Sequence, residues 1–281
     1  MWNNNPITLE AELHLPKNAI APYPTIVTIH GSGPDVRLSL IDGESDIRSI
    51  RLKDMALSMG YAVVVMDVFT KRKLKFVYND PTQIPPRVGV FDTKALLRVL
   101  SKDTRLDKSN VFFTGHSWGG QVAYRLMYES SWKKSDPILP KGILADAPGC
   151  AVIREGDRLL TNSLIVVGAR DERTPAEGCV RFANMYKDSG NIKVHIIPNM
   201  DHSYSTAGSV WHSDGAAPNG CSASSIFRKV DGTLVYKDKV ITQEQVIKIC
   251  VTKGAWVNGN GALLDHNVEI ALEFFNKYTT K

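Results

Sequence analysis

A serine, a histidine and a carboxylate do hydrolytic chemistry when a fold brings them together. This chain places a candidate for each just after an apolar run. Ser117 lies in Gly115-His116-Ser117-Trp118-Gly119, a G-x-S-x-G pattern. The residues before it, 111–114, are β-branched or aromatic, and those after it, 121–127, are apolar at helical spacing. Strand, sharp turn and helix in that order are the context in which the pattern reads as a nucleophile elbow. A serine hydroxyl is a poor nucleophile until a base takes its proton, and the base is usually a histidine oriented by a carboxylate. Past Ser117, Asp171 follows the strand-like run 163–167, and His202 follows the run 193–197.

The elements that must position these groups alternate in type. Strand patterns at 7–15, 25–30, 61–66, 111–114, 142–145, 163–167 and 193–197 are separated by helical patterns. The helical patterns fall at 47–59, 91–100, 121–127, 175–186 and 267–278. Such alternation predicts an α/β fold with a mostly parallel sheet flanked by helices on both faces. In open sheets of this kind, active-site groups gather beyond the carboxyl ends of the strands. An oxyanion hole there needs two backbone N–H groups. Trp118, directly after the nucleophile, supplies one, and Gly31 or Ser32, after the 25–30 strand, supplies the other. Residues 203–264 do not fit the alternation. They read as an insertion between the His202 loop and the last helix, on a single domain covering 1–281.

Rival readings stand beside these. Asp146 also ends a strand pattern and competes with Asp171 for the acid, while Asp67 precedes Ser117 and reads as structural or substrate-facing. His195 and His212 are neighbours of His202, and His116 is expected to point into the scaffold. The cysteines at 150, 179, 221 and 250 match no zinc spacing, and no metal or other cofactor is expected. Cys221 and Cys250 both fall in the insertion, which a bridge would stabilise; four reduced, buried thiols are the alternative. A bridge would place the protein in an oxidising compartment.

Composition narrows the partners. The 281 residues carry a formal net charge of +5, part of it in the cluster 71–75, with no basic stripe interleaved with aromatics. Nucleic acid is therefore not an expected partner. No apolar run is long enough to span a membrane, and residues 1–6 carry no signal-peptide pattern. The expected partners are a small-molecule acyl substrate and, as an open alternative, a second copy in a homodimer. The compartment, cytoplasmic or periplasmic and secreted, stays open.

The residues that carry this chemistry resemble those of the α/β hydrolases, in which the triad also runs Ser, Asp, His along the chain. Within that fold the chain is similar to the dienelactone hydrolase-like family. The resemblance rests on His30-Gly31-Ser32-Gly33, Gly60-Tyr61-Ala62-Val63 with Asp67-Val68-Phe69 and Arg72, Asp92, the elbow, Gly168-x-x-Asp171-x-x-Thr174-Pro175 and His202. It covers 25–202 and the last helix. It implies hydrolysis of a small ester, lactone or related acyl compound, and it sets Arg72 near the site as a candidate anchor for a substrate carboxylate. The loops expected to roof the site add Phe69 and Tyr204 as substrate-binding candidates, with Tyr78 and Trp211 nearby. The founding members use a cysteine where this chain has Ser117, which points toward serine-esterase behaviour. Peptide cleavage or acyl transfer by the same triad, and a binding protein that kept the fold without the chemistry, are the alternatives.

Overall fold

The computed structural model describes residues 6–32, 47–74, 77, 80, 82–202, 210–258 and 262–280. Its elements follow the chain as β1 (Glu10–His14), β2 (Tyr23–Ile29), α1 (Ile47–Ser58), β3 (Ala62–Asp67), α2 (Pro86–Leu100), β4 (Leu106–His116) and α3 (Trp118–Leu126). They continue as β5 (Gly142–Asp146), β6 (Val152–Arg154), β7 (Asn162–Gly168), α4 (Glu177–Met185) and β8 (Ile192–Ile197). The last are β9 (Val210–Ala217), β10 (Ile226–Arg228), β11 (Leu234–Tyr236), β12 (Lys239–Ile241), α5 (Gln243–Cys250), β13 (Thr252–Asn258) and α6 (Ala262–Tyr278).

Seven strands form the central sheet in the order β1-β3-β2-β4-β5-β7-β8. All neighbours pair in parallel except β1, which closes the edge antiparallel to β3. Parallel strands covered on both faces must be apolar on both, and consecutive residues accordingly enter opposite cores. Val27 and Phe113 pack with Trp118, Val122 and Phe182, on the side of α2, α3 and α4. Ile26 and Phe112 pack with Leu52, Val268, Leu272 and Phe275, on the side of α1 and α6. The mixed α/β architecture predicted from the alternation is the one observed.

Two helices begin earlier than the periodicity suggests. α2 starts at Pro86, five residues before the predicted start. Proline suits a first helical position, because its missing N–H would have no partner there anyway. α6 starts at Ala262, inside the stretch assigned to the insertion.

The described part of that stretch builds two small sheets, β13-β9 and, together with β6, β12-β11-β10-β6. A hairpin around Asp231-Gly232 joins β10 to β11, with Gly232 at φ 89°. β6 was not evident in the sequence. It is three residues long, and its pairing with β10 is parallel, across more than 70 residues. α5 opens with a reciprocal capping box between Thr242 and Gln245. Its Cys250 is bonded to Cys221, and Cys150 is bonded to Cys179. The alternative of four free thiols is thereby replaced by two disulfides, one of them unanticipated because Cys150 and Cys179 sit in separate loop and helix segments.

Around the Cys221–Cys250 bond the insertion buries a small core of its own, with Ile226, Leu234 and Val246. So small a core depends on the cross-link. Replacing both cysteines by alanine should lower stability by about 3.5 kcal/mol, the scale for closing a loop of this length. Urea denaturation of the variant beside the parent checks this.

Candidate active site

β4 delivers Ser117 to the carboxyl edge of the sheet, and α3 leads away from it. Ser117 sits at the junction with φ 54° and ψ −112°, a conformation that non-glycine residues rarely adopt and that persists only where surroundings over-determine it. Its N–H donates to the Asp146 carbonyl at 2.9 Å. The turn closes only because neighbouring positions lack side chains. A Cβ on Gly115 would lie 2.6 Å from the Gly119 carbonyl carbon, and one on Gly120 would run into the Asp146 carbonyl oxygen.

β7 and β8 supply the other two groups. Ser117 Oγ lies 2.8 Å from His202 Nε2, and His202 Nδ1 lies 2.8 Å from Asp171 Oδ2. All three residues are buried. An ionised Asp171 only accepts, so Nδ1 carries the imidazole proton and Nε2 presents its lone pair to the serine hydroxyl. Asp171 is held by more than the histidine. Its Oδ1 accepts the backbone N–H groups of Arg173 at 2.9 Å and Thr174 at 2.8 Å. The Thr174 hydroxyl, 2.7 Å from Oδ2, also lies 3.0 Å from His202 Nδ1 and 3.1 Å from the Ala147 carbonyl. Thr174 thus ties the acid, the base and the loop after β5 together, a role its place in the acid-loop motif did not disclose.

Burial alone would push the Asp171 carboxyl up, but His202 and the Thr174 hydrogen bonds outweigh it and hold the group below the ordinary aspartate value. Burial pushes His202 down; Asp171 opposes this, and His116 and Arg173 reinforce it, so the imidazole titrates below the usual histidine value. It is therefore neutral at pH 7.

Asp146, the rival acid, is engaged elsewhere. Its carboxylate meets Arg48 at 2.8 Å, His116 Nδ1 at 3.1 Å and the Asn267 amide at 3.2 Å, all beneath the elbow. His116 does reach into the scaffold, as expected, but its ring also lies 5.2 Å from that of His202. His195 is in β8 and His212 pairs with Asp214 on the surface, so neither competes for Ser117.

The loop after β2 lies against Ser117. A Cβ on Gly31 would sit 3.6 Å from that of Ser117. His30 accepts the Val68 N–H on Nε2 at 3.2 Å, so its Nδ1–H is free to donate to the Gly31 carbonyl at 2.7 Å. Across a trans peptide that carbonyl and the Ser32 N–H point in opposite directions, which turns the Ser32 N–H away from the His30 ring. Trp118 opens α3, where first-turn N–H groups have no partner within the helix.

Two substrate-binding candidates are taken up by the scaffold. Arg72 is buried, and its guanidinium binds both Asp92 oxygens, at 2.8 and 2.9 Å, and the Val68 carbonyl at 2.8 Å. A charge so fully matched is a clamp between the loop after β3 and α2, not an anchor for a ligand. Phe69 is also buried, its ring against His30 at 4.3 Å and Trp118 at 5.1 Å, where it backs the loop at Gly31. Tyr204 lies outside the described residues, as do Gly33, Tyr78 and the side chain of Trp211. Part of the insertion does border the acid loop: Glu172 accepts the Trp256 N–H at 3.0 Å, and Arg173 donates to the Ala216 carbonyl at 3.0 Å. Among the described residues no group of three or more His, Cys, Asp or Glu is placed to hold a metal ion, and no helix is long and apolar enough to cross a membrane.

Solved structures with the same layout include esterase 2 of Thermogutta terrifontis phosphonylated by cyclosarin, at 16% identity over 74% of this chain and 84% of that one, with a TM-score of 0.55. The same esterase with butyrate bound gives 16%, 70%, 81% and 0.52. Est1E of Butyrivibrio proteoclasticus with ferulic acid bound gives 18%, 70%, 88% and 0.50. The fold is that of the α/β hydrolases. No protein-family model matches the chain, and no curated protein matches it.

The two carboxylates should separate in their effects. Asp171→Asn should lower kcat by about four orders of magnitude, because a neutral amide neither selects the tautomer nor stabilises the imidazolium. Asp146→Asn should instead lower stability by about 3–5 kcal/mol, since it strands the buried Arg48 charge. Ester turnover and urea denaturation of both variants test the assignment; the reverse pattern would exchange the two roles.

Proposed function

We propose that the protein is a serine hydrolase that cleaves small carboxylic esters, lactones or related acyl compounds through an acyl-enzyme on Ser117. The observation that carries this reading is the unbroken line from Ser117 Oγ through His202 to Asp171, each step 2.8 Å. His202 Nε2 takes the hydroxyl proton as Oγ attacks the carbonyl carbon. The carbonyl oxygen, now negative, lies against the Trp118 N–H and the Ser32 N–H, with Gly31 giving the backbone room to approach. The positive end of α3 adds to the stabilisation of that charge. Asp171 offsets the charge that develops on the imidazole, and Thr174 keeps the pair in line. His202 then returns the proton to the leaving alkoxide. Water, deprotonated by the same Nε2, attacks the acyl carbon and frees the acid and Ser117.

Butyrate and ferulic acid, bound by the esterases of like fold, are the acids of small esters. They support a small-acyl substrate for this chain over a lipid or a folded polypeptide. The serine at the elbow favours simple esters over the dienelactone substrate of the cysteine enzymes that the chain resembles. Two disulfides support an oxidising compartment as the place of action.

The test is kcat/KM across acyl length and pH. p-Nitrophenyl acetate and butyrate should be cleaved at least about tenfold better than the palmitate ester, the order expected for the small-acyl site proposed here, since small-molecule sites enclose ligands of limited size. The base works only when unprotonated, so activity should fall with decreasing pH through the His202 pKa. Because that pKa is lowered, the acid limb should have its midpoint below about 6.5, the ordinary histidine value. A maximum at long acyl chains would favour a lipase, and cleavage of peptides with no ester turnover would favour a peptidase.

A further inference from the structure

Beyond the triad, the most unusual electrostatic feature is a group of arginines beside α3. β6 and β10 pair so that Arg154 and Arg228 are direct cross-strand partners. Like charges placed opposite one another in a sheet are destabilising. On α3 the open face carries Gln121 and Arg125, while Val122, Ala123, Tyr124 and Leu126 are buried. The Arg125 guanidinium lies close enough to both Arg154 and Arg228 to feel their charges, and Arg228 also feels Arg87, in the first turn of α2. Burial, aided by its arginine neighbours, lowers the Arg125 pKa to about 10, which leaves it charged at neutral pH.

What holds these side chains is almost entirely neutral. Arg125 donates to the Gln121 carbonyl at 3.1 Å, and Arg228 donates to Gln243 at 3.1 Å and to the Gly232 carbonyl at 3.4 Å. Arg154 lies over the Tyr128 ring at 4.8 Å and donates to the hydroxyls of Ser130 and Ser131 at 2.7 and 3.0 Å. Among the described residues the one carboxylate paired with any of the four is Asp157, 3.6 Å from Arg154. Four guanidiniums against one carboxylate leave an uncompensated positive field, and carbonyls, hydroxyls, an amide and a ring fix three of them, Arg125, Arg154 and Arg228, as a pre-organised set of donors, with Arg87 exposed beside them. Planar donor forks of this kind match carboxylate oxygens in pairs.

The group is connected to the elbow. Ser117, Gln121 and Arg125 follow one another along the open side of α3: the Gln121 N–H donates to the Ser117 carbonyl, and Arg125 to the Gln121 carbonyl. Eight residues of helix separate Ser117 from Arg125, about 12 Å of rise. On the other side, the Trp118 indole donates to the Ile84 carbonyl at 2.9 Å, three residues before Arg87.

We propose that Arg87, Arg125, Arg154 and Arg228 form a subsite for a carboxylate carried by the substrate at the end remote from the scissile ester. The proposal rests on Ser117 as the nucleophile, and it gives the substrate class more closely: a half-ester of a dicarboxylic acid, or an ester of comparable reach with an anionic end. The carboxylate recognition that the sequence suggested for Arg72 is then performed by a different set of arginines.

The probes are p-nitrophenyl hydrogen suberate, which carries a distal carboxylate, and p-nitrophenyl octanoate, its neutral counterpart. At low salt the ratio of kcat/KM, charged over neutral, should exceed about ten, and 0.5 M salt should reduce it, since exposed charges are screened. In Arg228→Gln and Arg87→Gln the ratio should drop about tenfold, an order expected for loss of a charge-assisted contact. The ratio is read on folded, active protein and does not depend on the absolute rate. A wild-type ratio near one, or a ratio unchanged in both variants, would overturn the subsite. A second arm is independent of turnover: calorimetric titration of Ser117→Ala with suberate should show binding that the added Arg228→Gln change weakens. Absence of heat, or binding of inorganic phosphate in preference to suberate, would also overturn it. If no ester is cleaved but suberate binds in this arginine-dependent way, the esterase reading fails and the anion subsite stands.

Discussion

The structure depends on one strained residue and the carbonyl that holds it. Ser117 adopts φ 54° and ψ −112° only because β4 ends and α3 begins on either side of it, and because its N–H is captured by the Asp146 carbonyl. The same aspartate carries its side chain downward into Arg48, His116 and Asn267. Those partners come from α1, β4 and α6, so the turn is secured from the face of the sheet opposite α2 and α3. Buried charges are costly unless matched, and matching them here locks two helices beneath Ser117. The strain at Ser117 is thus offset by packing and ion pairing in the layer below.

The site divides its carboxylates by environment. Asp146, ringed by a guanidinium, an imidazole and an amide, is structural. Asp171 accepts two backbone N–H groups, a hydroxyl and the His202 imidazole, so both of its oxygens face the acid loop and the base. That leaves one strongly polarised direction, from Asp171 through His202 to Ser117, within a buried setting where electrostatic effects are large. The histidine is neutral and protonated on Nδ1, so in the proposed reaction it would need no rearrangement.

The triad is legible in the sequence because each member follows a strand pattern, and a parallel sheet brings strand ends to one edge. The elbow is legible because its glycines are demanded by close backbone approach. What the sequence conceals is pairing between distant segments. Arg72 looks free until Asp92, on α2, is set beside it. Cys150 and Cys179 look like unrelated thiols until the loop after β5 meets α4. Arg154 and Arg228 become neighbours only through β6, too short to show any periodicity. Thr174 reads only as a position of the acid-loop motif, and its hydroxyl gains its place only when the loops after β5, β7 and β8 converge. In each case the local pattern is correct and the partner is non-local.

The central claim is that Ser117 is a nucleophile activated by His202. The most direct measurement is labelling with a fluorophosphonate probe, read by intact mass and by peptide mapping. The account predicts one adduct per chain, on Ser117, abolished in Ser117→Ala and strongly slowed in His202→Ala, because the unactivated hydroxyl is a weak nucleophile. An unlabelled protein, or a label carried on another residue with Ser117 untouched, would contradict it.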